Sequence, residues 1–493
     1  MERYIISIDQ GTSSTKCILI SESGQLLRRV NHPHRQLHPA PGFVEHDPQE
    51  ILRGILDGIH SLTDQLPADS VAAISLSVQT GAFLLWDAKT GRPLCNLIGW
   101  QDTRGDSIVC ELEEEQIRKL RACGYTPSGR TIPMKLLWMK QKLPQFETLA
   151  AEKRLRFGTV DSWLVHSLTH GRVHACNSCN ASITRLFCME HERWNAPLLD
   201  ALGLPESMLP EVYPDDAVYG ECETGCGSVP IAGVMGDSAA AMFGQCCLEP
   251  GEVKVTYGTG ASYLLNIGST PQLPPEGIVL NIGWKRERKK CFVWEGTVFY
   301  AGAAMDYLRR NLKLPITFDG GASDASRLAD SLKDNAGVYF VPSFSGLGVP
   351  DVGKGDGGCF CGLSPQNTVA HFARAAMESV GYQIRDIAEV IAEAGYPLPK
   401  QLIADGGGSL SPFEMQFQAD ILRAQVICSS VEECSALGAA FMGGLGVGLW
   451  SSEEEIRRIP RQNRACYLPT MSEQQRRRDY DGWKKAVRKV AME

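Results

Sequence analysis

Apolar strand-like runs alternate with amphipathic helical runs along most of the chain, which predicts an α/β architecture. Two further observations split that architecture in two. At 493 residues the chain exceeds what one hydrophobic core usually organises. A strand-turn-strand pattern near the N-terminus also returns about half a chain later. Domains of 1–247 and 248–493 are expected.

In the first copy of the repeated pattern, apolar runs at 4–8 and 17–20 flank Asp9-Gln-Gly-Thr-Ser-Ser-Thr-Lys16. Gly11 allows a tight reversal. Backbone N–H groups and the hydroxyls of Thr12, Ser13 and Ser14 would then converge on anionic oxygens, and Lys16 would add a positive charge. Asp9, at the strand end, could hold a divalent cation through water. The pattern reads as a phosphate grip. The second copy, Val253-Lys-Val-Thr-Tyr-Gly-Thr-Gly-Ala-Ser-Tyr-Leu-Leu-Asn-Ile267, falls into register when Gly258-Thr259 is set against Gly11-Thr12. Repetition on this scale predicts two related domains facing each other across a cleft, each giving one phosphate-binding hairpin.

The elements between the hairpins follow from local chemistry. Runs 71–78 and 82–86 read as strands, and Lys89-Thr-Gly-Arg92 is a turn. Asp47-Pro48 is a helix start, with Asp as N-cap and Pro in the first turn, leading an amphipathic run through Ile51, Ile55 and Ile59. Trp100-Gln-Asp-Thr-Arg104 is expected to open a charged helix, and the run from Phe157 enters another. An apolar strand at 231–235 ends at Gly236-Asp237. After the second hairpin come a helix from Ala303, a strand at 338–341, a long helix from Thr368, a strand at 402–404, and helices near Pro412 and Ser435. The Gly- and Ala-rich run 436–449 should be a buried, close-packed helix.

Composition excludes several classes. Hydrophobic and charged fractions of 43% and 22% are ordinary for a globular protein, and a formal charge of −8 argues against a nucleic-acid surface. Arg476-Arg-Arg478 is read as the solvated face of a C-terminal helix. The first residues enter a strand without the apolar stretch of a secretory signal, and no run reaches the roughly 18 apolar residues of a membrane span. A cytoplasmic protein without a membrane partner is expected. Seventeen irregularly spaced cysteines fit reduced thiols. Cys176 and Cys179 with Cys222 and Cys226 could supply four zinc thiolates, but lack a compact knuckle; Cys246-Cys247 and Cys359-Phe-Cys361 read as core packing.

Two strand ends carry candidate chemistry. Asp237 precedes Ser238-Ala-Ala-Ala-Met-Phe-Gly, a helix whose small first turn would let a substrate approach closely. Such a carboxylate could take the proton of a sugar hydroxyl as that oxygen attacks phosphorus, or could simply be an N-cap. Asp405-Gly-Gly-Gly-Ser-Leu-Ser411 follows another strand, and its three glycines would let backbone approach a flat ligand such as adenine.

These motifs, together with Tyr257-Gly-Thr-Gly260, Glu295-Gly-Thr-Val-Phe-Tyr-Ala-Gly302 and Met415-Gln-Phe-Gln-Ala-Asp-Ile-Leu422, resemble the FGGY carbohydrate kinases over essentially the whole chain, and among them the glycerol kinase branch. Gly358-Cys-Phe-Cys-Gly-Leu363 followed by His371-Phe-Ala-Arg-Ala-Ala-Met-Glu378 is similar to the family's C-terminal signature. Lys135-Leu-Leu-Trp138 carries the N-terminal one, except that Ile132 stands where a small hydroxyl residue or proline is expected. The resemblance implies a two-domain, actin-like (ribonuclease H-like) ATPase fold with a central cleft, sugar and catalytic base on the first domain and nucleotide mainly on the second. It implies ATP and Mg2+, and a homo-oligomer, either dimer or tetramer. By position, Asp9 would coordinate magnesium through water; Thr12, Ser13, Ser14, Lys16 and Thr259 would surround the transferred phosphate. Gly302, Asp306, Gly407 and Ser411 would line the nucleotide, and Asp237 would be the general base.

The acceptor pocket departs from the glycerol kinase pattern. Where that branch places an Arg-Glu pair, this chain has Thr80-Gly81, next to Gln79. Arg130 stands for a tyrosine, Ser262 for a phenylalanine and Ser238 for a glutamine; only Trp100 and Asp237 remain of the sugar contacts. Losing a carboxylate and an aromatic ring frees volume, so a longer polyol or open-chain ketose is expected in place of glycerol, and Arg130 could favour an anionic substituent. The rival expectation is an ATPase of the same fold acting as chaperone or filament subunit, without a small acceptor. Trp100 beside a strand-end Asp argues against it.

Overall fold

A computed structural model describes residues 2–64, 66–287, 289–316, 324–355, 357–430, 433–460 and 463–491. The chain packs as two units. The first comprises Met1–Cys246, Ile282–Cys291 and Glu433–Pro460, and the second Cys247–Asn281, Phe292–Glu432 and Arg461–Glu493. Packing thus differs from a single division after residue 247, because two pieces of the second half join the first unit. The helix Cys434–Gly446 explains one of them. Ser7 Oγ donates to Ala436 O at 2.6 Å, and a Cβ on Gly443 would collide with Ser75 Oγ and the carbonyl of Ala232. Glycine is what allows this helix to touch the first unit's strands.

The first unit's main sheet runs Val218–Thr224, Gly227–Gly236, Val71–Val78, Tyr4–Gln10, Ser14–Ser21, Leu26–Pro33. Its second, third and fourth strands are mutually parallel and the outer pairings antiparallel. The central strands are buried on both faces, as their unbroken apolar runs require. One face is covered by Pro48–Thr63, which begins as expected, Asp47 accepting from Gln49 N. Cys434–Gly446 and Asp237–Gly244 cover other strands, and these two helices approach so closely that Gly438 and Gly244 have no room for a Cβ. Ala239, Ala240 and Ala241 are therefore small for helix packing and not for ligand access, since all three are buried.

The second unit repeats this frame. Its sheet contains, in order, Asn463–Tyr467, Gln425–Ser429, Gln401–Asp405, Val253–Tyr257, Ala261–Gly268 and Lys289–Val298. The second, third and fourth are again parallel and the rest antiparallel. Both Gly-Thr hairpins occupy the same place in the two sheets, so the repeat read in the sequence is a repeat of topology.

Residues 100–105 are a loop, and the charged helix starts only at Asp106. The cause is Asp102, whose carboxylate accepts the N–H groups of Val44 at 2.7 Å and Arg104 at 2.9 Å and the Arg104 guanidinium as well. Those bonds hold the backbone in a turn that a helix could not supply. The run from Phe157 is likewise a strand, Leu155–Thr159, before the helix Val160–Leu168. Among the described residues no helix is long and apolar enough to cross a membrane. The cysteines considered for zinc are buried thiols, and no cluster of metal-holding side chains occurs among the described residues.

Candidate active site

Three parallel strands of the first unit bring their C-terminal ends side by side. Asp9 pairs in register with Ser77, and Ser77 with Met235, so the stretches 9–12, 77–81 and 235–238 lie together. Ends of parallel strands are where open α/β sheets bind ligands. Asp9 accepts from Ser77 Oγ at 2.9 Å, and its other oxygen lies 3.7 Å from Lys16 Nζ. Burial raises its carboxyl above the usual range, while Lys16 and Ser77 pull it back. A buried carboxylate so incompletely neutralised suits a hard, hydrated divalent cation. Lys16 itself is committed elsewhere, its ammonium 2.7 Å from Glu433, which also takes Arg29 at 2.9 Å.

The hairpin turn is closed by Gly11 N donating to Ser14 O at 3.0 Å. The hydroxyls of Ser13 and Ser14 make no hydrogen bond with other described residues. Thr12 Oγ1 donates to Gln79 Oε1 and accepts from Trp100 Nε1, both at 3.4 Å. Gln79 is anchored through its N–H to Gln10 O at 2.8 Å. Thr80 lies against Gly236, where an added Cβ would meet its methyl group, and Gly81 lies against Trp100. Trp100 is half exposed, with its ring available as a wall.

Asp237 is the first residue of its helix, and Gly236 occupies the cap position. Its Oδ1 accepts the N–H of Ser238 at 2.8 Å. The N-cap alternative does not describe it, and the residue follows directly on the strand Gly227–Gly236. Arg130 is exposed in the turn before the helix Ile132–Lys142. Its guanidinium makes no hydrogen bond or ion pair with described residues, although its charge helps lower the pKa of Lys135.

Lys135 is a residue whose role the sequence concealed. Fully buried, it donates to the carbonyls of Gly99 at 2.9 Å and Trp100 at 3.3 Å. Burial pushes its ammonium down to about 8. Trp138, one helical turn on, stacks with Phe43 on the Arg104 guanidinium, at 4.8 and 4.3 Å to the ring centroids. The Lys135-Leu-Leu-Trp138 motif therefore fixes the loop that presents Trp100.

In the second unit a cavity of about 390 Å3 opens beside the Gly-Thr hairpin. Its wall includes Thr259, Gly302, Asp306 and Gly407, with Met305, Met377, Val380 and Leu410 as an apolar side. Gly302 N donates to Gly258 O at 2.9 Å, and Ala301 N and Ala303 N both donate to Thr259 O at 3.0 Å. The three glycines divide their tasks. Gly406 has φ of 83° and packs on the Tyr257 backbone, Gly407 faces open space, and Gly408 stands beside the Glu414 carboxylate.

Ser411, expected on the nucleotide, is not on that wall. It is the buried N-cap of Pro412–Leu422, accepting from Glu414 N and donating to Ser326 Oγ at 3.0 Å. Glu414, three residues on, lines the cavity instead. Ser262 sits in the sheet and donates to Glu295 at 2.9 Å. Asp306 is paired with Arg309 at 2.7 Å on the cavity rim.

A strand-end carboxylate beside a hydroxyl-rich turn in one unit, and a glycine-walled cavity beside the matching turn in the other, define a phosphotransferase. The model of the FGGY family of carbohydrate kinases matches residues 4–244 with its N-terminal domain and 253–447 with its C-terminal domain. Glycerol kinases of Saccharolobus islandicus and Petrotoga mobilis are each 38% identical over 99% of this chain, covering 97% and 99% of theirs. That of Pseudothermotoga lettingae is 40% identical over 99% of this chain and 98% of its own. The crystal structure of Plasmodium falciparum glycerol kinase with ADP superposes with a TM-score of 0.90 at 28% identity, covering 99% of this chain and 98% of that one. A xylulose kinase from Lactobacillus acidophilus shares the fold at TM-score 0.83. The chain belongs to the FGGY carbohydrate kinases, with their two-domain, actin-like ATPase fold. It is an ATP-dependent kinase of a polyol or sugar, with an alcohol group as acceptor.

Proposed function

We propose that the protein phosphorylates a primary hydroxyl of a polyol or open-chain ketose longer than glycerol, held by the first unit, using nucleotide held by the second. The observation that carries this reading is the small-residue surround of Asp237. Thr80, Gly81 and Ser238 put only small side chains on the stretches that meet at this strand-end carboxylate, and the half-exposed Trp100 ring lies against Gly81. Such a surround suits a longer carbon chain, with the aromatic face packing against its C–H groups.

Asp237 takes the proton of the attacking hydroxyl as the oxygen forms its bond to the γ-phosphorus and the bridging oxygen leaves with ADP. Thr12, Ser13 and Ser14 donate to the oxygens of the transferred phosphoryl group, and Thr259 is assigned to the phosphates of the nucleotide. Lys16, steered by Glu433 and Asp9, contributes charge to that end of the turn. Asp9 would hold a magnesium ion through water; the ion supplies charge neutralisation on the phosphates. Gly302, Gly407 and the apolar wall of the cavity receive the nucleoside, and Arg130 is kept as a candidate contact for an anionic end of the acceptor. A dimer or tetramer is the expected assembly.

The test is turnover of magnesium-ATP with a panel of three- to seven-carbon polyols and ketoses. A four- to seven-carbon member is expected to exceed glycerol in kcat/KM. Asp237→Ala should lose at least about a hundredfold in kcat, the scale of a general base, while ADP affinity stays unchanged. Glycerol as preferred substrate, or near-normal turnover in the variant, would overturn the reading.

A further inference from the structure

The cavity of the second unit contains a buried carboxyl that the proposed chemistry leaves unused. Glu414 is 6% exposed and lines the wall shared by Gly407, Gly408 and Leu410. The sequence disguises it. Ser411-Pro-Phe-Glu414 has the spacing of a capping box, in which the glutamate would reach back to the N–H of the capping serine. Here Ser411 N donates to Gly408 O at 3.0 Å instead. The Glu414 side chain consequently makes no hydrogen bond or ion pair with any described residue. Gly408 leaves space next to it, since a Cβ there would stand 3.5 and 3.6 Å from its two oxygens.

The residue is more than nine-tenths buried, and its carboxyl, without a partner among the described residues, opens on the cavity, where a ligand can complete it. The same cavity wall carries Met305, Ala376, Met377, Val380 and Leu410. A flat heteroaromatic ring with polar edge atoms satisfies both demands. We propose that Glu414 is the base-reading residue of this cavity, bonding the polar edge of a purine and so setting adenine against guanine. The inference rests on the reading that the cavity holds the nucleotide.

The two protonation states read different edges. A neutral carboxyl donates one O–H and accepts at its carbonyl, which complements adenine N1 and its amino group. A carboxylate only accepts, which complements the N1–H and amino group of guanine. Burial alone pushes Glu414 up to about 8, so the acid form and adenine prevail at neutral pH. The charged groups on the cavity wall are Asp306, Arg309 and Arg310, and Tyr257 adds a phenol held well above its usual range. The segments 376–380 and 407–410 bring no charge to the wall.

The experiment is calorimetric binding of ADP and GDP to the full chain at about pH 6 and about pH 9.5. In the wild type the ADP-over-GDP preference should fall at least about tenfold across that range, the scale of one bidentate base contact. Glu414→Gln, which keeps one donor and one acceptor, should retain the preference at both pH values. Glu414→Leu should lose about tenfold of it and show no pH dependence. An ADP-over-GDP ratio equal in wild type and Glu414→Leu at both pH values, with ADP binding intact, would overturn the role of Glu414 alone. ADP binding that is absent from the wild type would remove the cavity reading and this inference together.

Discussion

In the first unit the Gly-Thr hairpin carries Asp9 at its strand end and Lys16 beyond the turn; at the equivalent positions of the second unit stand Thr256 and Ser262. Six strands of each sheet pair in the same parallel and antiparallel pattern, the second sheet adding Val279–Arg286 at one edge, so the difference at the hairpins lies in side chains. The first unit places fixed charge at its strand ends, with Asp9, Asp237 and the Lys16–Glu433 pair. The second neutralises its strand-end Asp405 with the buried Lys254 at 3.2 Å, follows it with Gly406, Gly407 and Gly408, and keeps a cavity of about 390 Å3 open beside them. On the proposed reading, one copy is furnished for moving a proton and the other for admitting a large flat ligand. A duplicated fold can thus divide a two-substrate reaction without any change of topology.

The largest effect that would break this contrast is expected at Gly302. A Cβ there would stand 2.8 Å from Gly258 O, so Gly302→Val must force the helix start off the hairpin that it now meets through three N–H donors. Overpacking of that kind costs about 1–3 kcal/mol of stability, and with the hairpin wall of the cavity displaced, ADP affinity should fall at least about tenfold. Acceptor binding to the first unit, measured by calorimetry without nucleotide, should stay within about twofold if the division of tasks is real. Equal loss of both ligands would dissolve it.

Motifs carried by local spacing are legible in the sequence. Both hairpins, the strand-end Asp237 and the Asp47-Pro48 helix start occupy the places that turn and capping chemistry assign them. Where the outcome depends on tertiary contacts, spacing misleads. Trp100–Arg104 is a loop because Asp102 captures the distant Val44 N–H, and the alanines after Asp237 are small because of a helix about two hundred residues away in sequence. Ser411 and Glu414 show the same limit within four residues. Which of them faces the cavity turns on whether Ser411 N is satisfied by Glu414 or by Gly408, and spacing alone cannot decide that.

Lys135 sharpens the contrast from the first unit's side, because its carbonyl partners belong to the loop that holds Trp100. Lys135→Met keeps length and bulk but removes the donor. The variant should lose about 1–3 kcal/mol, the penalty for buried carbonyls left short of a partner, and raise KM for the acceptor several-fold while leaving KM for ATP alone. The pH dependence has a definite sign. Lys135 is held near 8 in the fold against 10.5 in its unperturbed state, so the unfolded chain binds more protons between those values. This residue's contribution to stability therefore grows as pH rises from about 8 to 10.5, and thermal unfolding of Lys135→Met across that range should lack the slope.

The smallest effect separates the two turns themselves. Thr12 Oγ1 bonds Gln79 and Trp100 at 3.4 Å, long contacts that each stabilise weakly. Thr259 is exposed, and it is its main-chain oxygen that ties the second turn, accepting from Ala301 and Ala303. Replacing each threonine by the isosteric valine keeps the backbone preference and deletes only the hydroxyl. Thr12→Val should lower stability by about 0.5–1 kcal/mol, seen as a small drop in the midpoint of thermal unfolding, and Thr259→Val should leave that midpoint unmoved. Both should reduce kcat, because Thr12 is assigned to the transferred phosphoryl group and Thr259 to the phosphates of the nucleotide. If Thr259→Val proved the more destabilising, side-chain bonding in the second turn would have to replace the main-chain bonding described for it, and the distinction between a side-chain-built and a backbone-built hairpin would be lost.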